Sequence, residues 1–370
     1  KSSAAGIELF LYKMKLSLTR SLKFALLLVA YLSSTLSNAS FLLSITRAIT
    51  RSTKTKPSTV TKTEYIITPD NLKMELISSR PTRRSRSLTR PPLVFVHGSG
   101  GGAWIYNEHW LSFFARLGYD AYAVGLRGSY RTGLPPGDDS TSVKISQHTS
   151  DLKVVINSIR KRSTSPVVLG HSFGGLVLTK FLEDNSARNL VAGAVWMCSL
   201  PPSGQGKMGK RFLFTRFFHT INIIRGFAFG LANKNPAMNK LLFYDDSIPQ
   251  DDLVRYMSRL QLDAKIAVNI TDVEKNLPVV NNDGTAPWLE KINDNQYNLN
   301  KDRNTIFTRL VLGSIDDYIV DPPAIKETAK YAGVDPVLVQ GPGHNIMLGE
   351  RWKICAEVIR DWLDESFSKV

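Results

Sequence analysis

Residues 166–182, PVVLGHSFGGLVLTKFL, decide the fold. The apolar run PVVL is typical of a buried strand, and LVLTKFL has the pattern of a buried helix. Between them lies Gly-x-Ser-x-Gly, with Gly170 and Gly174 on either side of Ser172. Glycine at both places leaves room for a tight strand-to-helix turn, which a Cβ would crowd. Because such a turn lifts the hydroxyl over the sheet edge, we predict Ser172 as a nucleophile, on an elbow that includes Gly170, His171 and Gly174.

A second glycine-rich loop, Val94–Gly102 (VFVHGSGGG), follows an earlier strand pattern. Attack of a hydroxyl on an ester carbonyl creates an oxyanion, which needs hydrogen-bond donors aimed at it beforehand. We predict the backbone N–H groups of Ser99 and Phe173 as these donors. His97 and Gly98 shape this oxyanion loop, and we expect His97 to hydrogen-bond within the loop rather than serve as the base.

The same loop has a distant likeness to a dinucleotide fingerprint, because GSGGGA approximates Gly-x-Gly-x-x-Gly. The third position of that pattern is Ala103 rather than glycine, and no clear helix pattern begins there. We therefore predict no nucleotide cofactor.

The acid and base candidates follow two later strand patterns. In Leu310–Asp321, LVLGSIDDYIVD, an apolar strand ends in glycine and then in carboxylates. Counting from the glycine favours Asp316, and counting back from the apolar pair Ile-Val favours Asp317, which we prefer as the acid. His344 lies in the loop GPGHNIM before the last helix, where a histidine can reach a serine at another strand end. Asp321, which precedes two prolines, predicts a helix start.

Short apolar runs alternate with amphipathic helical patterns from Leu93 onward. This rhythm predicts the α/β class, in which a mostly parallel sheet carries helices on both faces. The rhythm breaks over residues 200–305, where helical patterns occur without a clear strand. We interpret this segment as an inserted helical cap on a core formed by residues 64–199 and 306–370.

Together these motifs resemble the α/β-hydrolase superfamily over roughly residues 60–367, and most of all its small lipase, esterase and lysophospholipase-like members. The shared features are the His-Gly loop, GHSFGG, the Gly-x-x-Asp and Asp-x-Ile-Val segment, and Gly-His, in that order. The resemblance implies an α/β-hydrolase fold and a Ser-His-Asp triad with neither metal nor cofactor. One departure is GLRGS at residues 125–129, where the family often has Asp-x-Arg-Gly-His-Gly, and this leaves the subfamily open.

The predicted activity is hydrolysis of an ester through an acyl-enzyme on Ser172. The cap sequence Lys207–Lys234 mixes Phe, Ile and Leu with Lys and Arg, which favours an apolar, lipid-like acyl ester as the small-molecule substrate. It also favours contact with a membrane surface, through the cap or the N-terminus. A thioesterase or C–C hydrolase is an alternative reaction on this fold. A catalytically silent ligand-binding protein is an alternative of another class, and the oligomeric state stays open.

The formal net charge of +15 is concentrated near the N-terminus. Residues 1–63 contain ten Lys or Arg and one acidic residue, whereas residues 91–370 contain 31 basic and 28 acidic residues. Because the body is nearly neutral, we predict no nucleic-acid partner. We interpret the Arg-rich stretch 80–90 as the exposed tip of a hairpin that joins strands at 62–67 and 93–96.

The N-terminal segment 1–63 has the pattern of a targeting sequence. From Met14 a basic region precedes the apolar run Phe24–Leu32, and Ser37–Ala39 places small residues where a signal peptidase cuts. The Ser-, Thr- and Arg-rich stretch that follows is typical of a transit peptide. These features predict entry into the secretory pathway and, through a bipartite presequence, a plastid. An ER, secreted or membrane-anchored protein is the alternative.

The chain has two cysteines, Cys198 and Cys355. Two cysteines cannot build a disulfide framework, and we expect both to be buried, reduced thiols. A cysteine nucleophile is the alternative, but neither residue has a local motif for one.

Overall fold

The computed structural model describes residues 59–82, 90–290 and 307–367. The predicted targeting segment lies outside these residues up to position 58, as do residues 83–89 of the Arg-rich stretch. Among the described residues, no helix combines the length and the apolar character that crossing a bilayer requires.

A mostly parallel sheet of eight strands forms the centre of the molecule. The strands of the described residues are β1 (Thr59–Ile67), β2 (Lys73–Pro81), β3 (Leu93–Val96), β4 (Ala121–Val124), β5 (Ser142–Val143), β6 (Val167–His171), β7 (Gly193–Met197), β8 (Ala267–Val268), β9 (Thr308–Ser314) and β10 (Pro336–Val339), of which β5 and β8 lie outside this sheet. The order in the sheet is β1-β2-β4-β3-β6-β7-β9-β10. The pairs β1-β2 and β2-β4 are antiparallel, and all other neighbours are parallel.

Helices cover both faces of this sheet. The α-helices with described bounds are α1 (Trp104–Asn107), α2 (Trp110–Arg116), α3 (Ile145–Arg160), α4 (Phe173–Glu183), α5 (Asn185–Arg188), α6 (Gly204–Thr215), α7 (Phe217–Phe227), α8 (Pro236–Phe243), α9 (Gln250–Asp263), α10 (Ile270–Lys275), α11 (Pro322–Ala332) and α12 (Trp352–Phe367). Helices α3, α4 and α11 pack on one face, and α1, α2 and α12 pack on the other. The predicted α/β class is confirmed.

The central strands are short and apolar because both of their faces are covered. Every residue of β3, β6 and β7 is buried. In β3 the side chains alternate, so that Val94 and Val96 enter one core and Leu93 and Phe95 enter the other. A strand buried on both faces reads as a continuous apolar run rather than as an alternating one. This arrangement places the carboxyl ends of β3, β6, β7 and β9 along one edge, where the predicted site residues follow.

The hairpin lies earlier in the chain than predicted. Strand β1 turns at residues 68–72 into β2, and the two pair along their full length. Strand β2 lacks a clear apolar pattern because Glu75, Ser78 and Ser79 are buried among its apolar residues. The interpretation of residues 80–90 as a hairpin tip was therefore wrong, since this stretch follows the hairpin.

Helices dominate the segment between β7 and β9, which we interpreted as a cap. Helices α6 to α10 lie there, in the same compact unit as the sheet. The expectation that residues 200–305 contain no strand was wrong at one point, because β8 pairs with β5 in a separate two-stranded sheet. Residues 291–306 lie outside the described part of the chain, and the cap boundaries stay a prediction.

Candidate active site

Ser172 occupies the turn between β6 and α4 in an unusual backbone conformation. Its φ is 53° and its ψ is −121°, a region that residues with a Cβ rarely adopt. Two backbone hydrogen bonds hold the turn, because Ser172 N–H donates to the carbonyl of Met197 at 3.0 Å and Leu200 N–H donates to the carbonyl of Ser172 at 3.2 Å. Such a conformation persists only where the surroundings determine it, as they do at functional sites.

The elbow glycines are needed for close backbone approach. A Cβ at Gly170 would lie 2.5 Å from the carbonyl oxygen of Gly174. A Cβ at Gly174 would lie 2.5 Å from the carbonyl oxygens of both Val96 and His97. The elbow therefore packs directly against the end of β3, where the oxyanion loop begins.

His344 connects Ser172 to Asp317 by two hydrogen bonds. Its Nε2 lies 3.0 Å from the Ser172 Oγ, and its Nδ1 lies 2.8 Å from the Asp317 Oδ2. Since a carboxylate only accepts, Nδ1 carries the proton, and Nε2 is left free to accept from the serine hydroxyl. All three residues are buried, with Ser172 the most exposed at 8%.

Backbone donors hold the carboxylate of Asp317 in place. Its Oδ1 accepts from Ile319 N–H at 2.7 Å and from Val320 N–H at 2.9 Å. Burial alone would raise the pKa of Asp317, but the charge and hydrogen bond of His344 and these two N–H donors lower it below the ordinary value. Asp317 is thus a buried carboxylate that stays charged against the imidazole.

Asp316, the alternative acid, does not reach the imidazole. Its Oδ2 accepts from Gly341 N–H at 2.6 Å and therefore fixes the start of the loop that carries His344. Asp321 accepts from Ala324 N–H at the start of α11, so it is the helix cap predicted from the sequence.

His171 and His97 support the site through backbone hydrogen bonds. His171 Nε2 donates to the carbonyl of His344 at 2.9 Å, and burial lowers the pKa of His171 to about 3. His97 Nδ1 donates to the carbonyl of Gly98 at 2.7 Å, while its Nε2 accepts from Leu126 N–H at 2.9 Å. The bond of His97 within its own loop is the one expected from the sequence, but the bond of His171 to the histidine loop has no sequence signal.

The residues predicted as oxyanion donors belong to two segments that adjoin Ser172. Phe173 is the first residue of α4, where backbone N–H groups have no partner within the helix. Gly98, the residue before Ser99, approaches so closely that a Cβ there would lie 2.9 Å from the Ser172 Cβ. The oxyanion loop therefore lies against the hydroxyl-bearing side chain.

Cys198 lies beside the acid and the imidazole. Its Sγ, a carboxylate oxygen of Asp317 and a ring nitrogen of His344 lie within 4.8 Å of one another, and within the described ranges these residues are the one group with metal-ligand atoms so placed. Both nitrogens of His344 are already hydrogen-bonded, and burial raises the pKa of the Cys198 thiol well above its ordinary value. A metal ligand must be deprotonated, so this chemistry does not fit a metal site.

His148 on α3 is a buried residue near the elbow that the sequence reasoning did not select. Its ring packs edge-on against Phe173, with centroids 5.3 Å apart. Neither ring nitrogen has a hydrogen-bond partner among the described residues. Burial lowers the pKa of His148 from 6.5 to about 3, so the imidazole is neutral near pH 7.

The cap segment contacts the histidine loop directly. Asn345 N–H donates to the carbonyl of Phe243 at 2.9 Å, and the Phe243 ring lies 6.4 Å from the His344 ring. A Cβ at Gly343 would lie 2.6 Å from the carbonyl carbon of Tyr244. The end of α8 therefore borders the triad with an aromatic side chain.

Comparison with known proteins agrees with this geometry. The sequence profile described as the alpha/beta hydrolase family matches residues 93–358, most of the chain. The chain belongs to the alpha/beta hydrolase family. This membership confirms the predicted α/β-hydrolase fold and supports a hydrolase as the functional class.

Solved structures similar to this alpha/beta hydrolase differ in their described activities. An esterase from Exiguobacterium antarcticum is 15% identical with a TM-score of 0.55, covering 82% of this chain and 100% of the esterase. A thermophilic esterase from Thermogutta terrifontis is 14% identical with a TM-score of 0.54, covering 83% and 99%. A bromoperoxidase from Bacillus anthracis is 14% identical with a TM-score of 0.53, covering 82% and 100%. No curated protein matches the sequence. At such identities the likeness establishes the fold alone.

Proposed function

We propose that this protein is a serine hydrolase that cleaves esters with an apolar acyl group. The observation that carries the proposal is the continuous hydrogen-bonded line from Asp317 Oδ2 through His344 to Ser172 Oγ, with contacts of 2.8 Å and 3.0 Å. A nucleophile within reach of a base that a third group orients is the arrangement that covalent catalysis requires.

In the acylation half-reaction, Ser172 Oγ attacks the ester carbonyl while His344 Nε2 takes the hydroxyl proton. The backbone N–H groups of Ser99 and Phe173 stabilise the oxyanion of the tetrahedral intermediate. The imidazolium is stabilised by Asp317 and gives its proton to the departing alkoxide, so that an alcohol leaves and an acyl-enzyme remains.

In the deacylation half-reaction, water replaces the alcohol. His344 Nε2 takes a proton from the water as it attacks the acyl-enzyme carbonyl, and then returns that proton to Ser172 Oγ. The products are a carboxylic acid and the regenerated enzyme. His171 keeps the backbone of the base in place throughout, through its hydrogen bond to the His344 carbonyl.

Two features support an apolar acyl group. The Phe243 ring borders the imidazole, and Phe173 and Leu200, which flank the serine, are buried. The cap sequence between Gly204 and Phe243 contains no acidic residue and many apolar ones. Apolar walls favour an acyl chain over a sugar or a peptide, because burial of methylene groups supplies the binding energy.

A fluorophosphonate probe tests the nucleophile. We expect the wild-type protein to be labelled and Ser172→Ala to be unlabelled, with turnover lower by roughly 10⁴–10⁶-fold. The matched control is Ser99→Ala, which removes a hydroxyl from the oxyanion loop but keeps the backbone N–H, and it should be labelled as well as the wild type. Absence of labelling in the folded wild-type protein contradicts the proposal and favours the catalytically silent alternative.

A series of p-nitrophenyl esters from acetate to decanoate tests the substrate class. We expect kcat/KM to rise with acyl length by up to about fourfold per buried methylene. Acyl thioesters and C–C substrates are measured in parallel. A flat ester series, or faster turnover of a thioester or a C–C substrate, contradicts the apolar ester assignment while leaving the serine nucleophile in place.

A further inference from the structure

An apolar patch lies on the outer side of helices α6 and α7. Its seven members are between 48% and 85% exposed, and they are Leu213, Phe214, Phe217, Phe218, Ile224, Phe227 and Phe229, which we call the cap patch. Within the part of the chain that the structure describes, every exposed phenylalanine belongs to it. Soluble proteins rarely leave so many large apolar side chains in one short stretch unless the surface binds something.

A break between the two helices concentrates these side chains. Arg216 separates α6 from α7, because its φ of −145° and ψ of 59° are not helical. Phe214 therefore lies just before the break, and Phe217 and Phe218 lie just after it, with the last two rings 5.8 Å apart. Ile224 follows Phe217 by seven residues, which places it on the same side of α7.

The inner side of the helix pair is occupied by contacts with the core. His219 stacks on Tyr318 with ring centroids 3.7 Å apart, and Asn222 donates to the Tyr318 hydroxyl at 3.1 Å. The Arg211 guanidinium donates to both carboxylate oxygens of Asp321. These contacts fix the pair beside the segment that carries Asp317, so the cap patch is the solvent side of an anchored element.

The segment that carries the cap patch contains cations but no carboxylate. Between residues 201 and 244 there are seven Lys or Arg and no Asp or Glu. Some of these cations pair with carboxylates of the core, as Arg211 does with Asp321. Four others form no ion pair with any carboxylate of the described residues, and they are Lys210, Arg216, Arg225 and Lys234. The patch thus combines exposed aromatic rings with uncompensated positive charge.

We propose that the cap patch docks this protein on a lipid bilayer that contains anionic phospholipids. Exposed phenylalanine side chains enter the boundary between headgroups and acyl chains, and the surrounding cations attract the negative headgroups. A second copy of the same surface is a poorer partner, because a symmetric contact would bring two cationic patches together. The inference is independent of the proposed chemistry, since none of the patch residues belongs to the triad.

The test reads the position of the cap patch itself, so that binding through another part of the full-length chain is not mistaken for docking. Phe218→Cys is labelled with a nitrobenzoxadiazole fluorophore, which is selective because Cys198 and Cys355 are fully buried. Tyr65→Cys, at an exposed aromatic position on β1, is the matched control. Vesicles are pure phosphatidylcholine or an equimolar mixture of phosphatidylcholine and phosphatidylglycerol.

We expect the emission of the label at position 218 to rise and shift to the blue on the anionic vesicles only, and the label at position 65 to stay unchanged. A water-like signal at position 218 on vesicle-bound protein overturns the proposal, even where the chain sediments with the vesicles. An equal shift on pure phosphatidylcholine overturns the requirement for anionic lipid. A shift that occurs without vesicles and grows with protein concentration overturns the proposal and indicates contact with a second copy of the chain.

Two unlabelled variants separate the apolar and the charged contributions. We expect Phe214→Ser with Phe218→Ser to weaken partitioning onto anionic vesicles by roughly tenfold or more, because both rings are exposed. Arg216→Gln with Arg225→Gln is expected to weaken this partitioning by about fivefold per charge and to reduce its salt dependence. Tyr65→Ser with Val279→Ser removes two exposed apolar side chains elsewhere and should leave partitioning unchanged. Equal partitioning of all three folded variants, judged by circular dichroism, contradicts the proposal.

Discussion

Asp316 and Asp317 are adjacent in the loop after β9, but their side chains have different partners. Asp317 accepts from the imidazole of His344, whereas Asp316 accepts from the backbone of Gly341. Both contacts hold the same histidine loop, one through its side chain and one through its first peptide. The sequence favoured Asp317 by its distance from the following apolar pair, but only the geometry separates the two carboxylates.

Substitution of Asp317 should lower kcat far more than substitution of Asp316. Asp317→Asn should lower kcat by roughly 10³–10⁴-fold, because an amide neither stabilises the imidazolium nor selects the correct tautomer. Asp316→Asn retains an oxygen that accepts from Gly341 N–H and should change kcat less than about tenfold. Steady-state hydrolysis of a p-nitrophenyl ester measures both, and equal losses in the two variants would mean that the acid is misassigned.

The two cysteines should be inert in the native protein. Burial raises the pKa of the Cys198 thiol well above its ordinary value and that of Cys355 to about 12. Because the thiolate is the reactive form, neither residue should react with Ellman's reagent until the chain is unfolded, when two thiols should appear. Iodoacetamide should also leave ester hydrolysis unchanged. Rapid loss of activity on alkylation would instead favour a cysteine nucleophile.

At the scale of elements, an ion-pair network centred on the buried Arg127 joins the GLRGS loop to two other elements. Arg127 makes two contacts of 2.8 Å with Asp151 on α3 and one of 2.7 Å with Asp70 in the hairpin turn. Burial raises the pKa of Asp151 although Arg127 opposes the rise, and the hydrogen bond from Arg127 lowers the pKa of the more exposed Asp70 to about 2. The loop after β4 is thereby tied to a helix and to the hairpin.

Removal of Arg127 alone should lower the free energy of unfolding more than removal of Arg127 and Asp151 together. Arg127→Ala is expected to lower the free energy of unfolding by about 3–5 kcal/mol, because it leaves the Asp151 carboxylate buried without a partner. Arg127→Ala with Asp151→Ala should lose less than the single variant, since no uncompensated charge remains. Urea unfolding at pH 7 measures both, and a larger loss in the double variant would show that the network stabilises through packing rather than charge.

The elements that the sequence predicted well are those whose apolar residues are continuous. β3, β6 and β9 were located to within two residues, since strands buried on both faces read as continuous apolar runs. β2 was missed because its polar residues are buried through tertiary contacts, as in the hydrogen bond that Glu75 N–H donates to Thr132. The two-residue bridges β5 and β8 are too short for any periodicity.

For the whole molecule, two buried neutral histidines link stability to pH. Burial lowers the pKa of His148 and of His171 from 6.5 to about 3 in the folded protein. Below pH 6.5 the unfolded chain therefore binds protons that the folded protein does not bind. The contribution of these two histidines to the free energy of unfolding therefore falls as the pH falls from about 6.5 towards 3, and it is retained at higher pH.

His148→Leu should reduce this acid sensitivity. The variant removes a buried imidazole that has no hydrogen-bond partner among the described residues, so at pH 5 it should be more stable than the wild type by on the order of 2 kcal/mol. Above pH 7 the difference in free energy of unfolding between His148→Leu and the wild type should be smaller. Urea unfolding between pH 4.5 and 8 measures the slope, with the exposed Ser146→Leu on the same helix as control. Identical slopes in wild type and His148→Leu would contradict the linkage.

The residues that meet in the candidate site were named from the sequence because each follows a recognisable strand and glycine pattern. Their proximity could be predicted because parallel strands bring their carboxyl ends to one edge of the sheet. The contacts of His171 and His148 were not predicted, since they involve a backbone carbonyl and a ring that are distant in sequence. The outward direction of the cap phenylalanines was equally invisible, because an apolar helix pattern does not tell which side faces the core.

The hydrogen bond between Ser172 and His344 spans 172 positions of the chain. During synthesis the elbow leaves the ribosome long before the histidine loop and the closing helix α12 have been made. A chain that ends before residue 344 thus carries the serine but lacks the imidazole that would accept its proton. The proposed base therefore becomes available to Ser172 only after residue 344 has been synthesised and its loop has folded against the elbow.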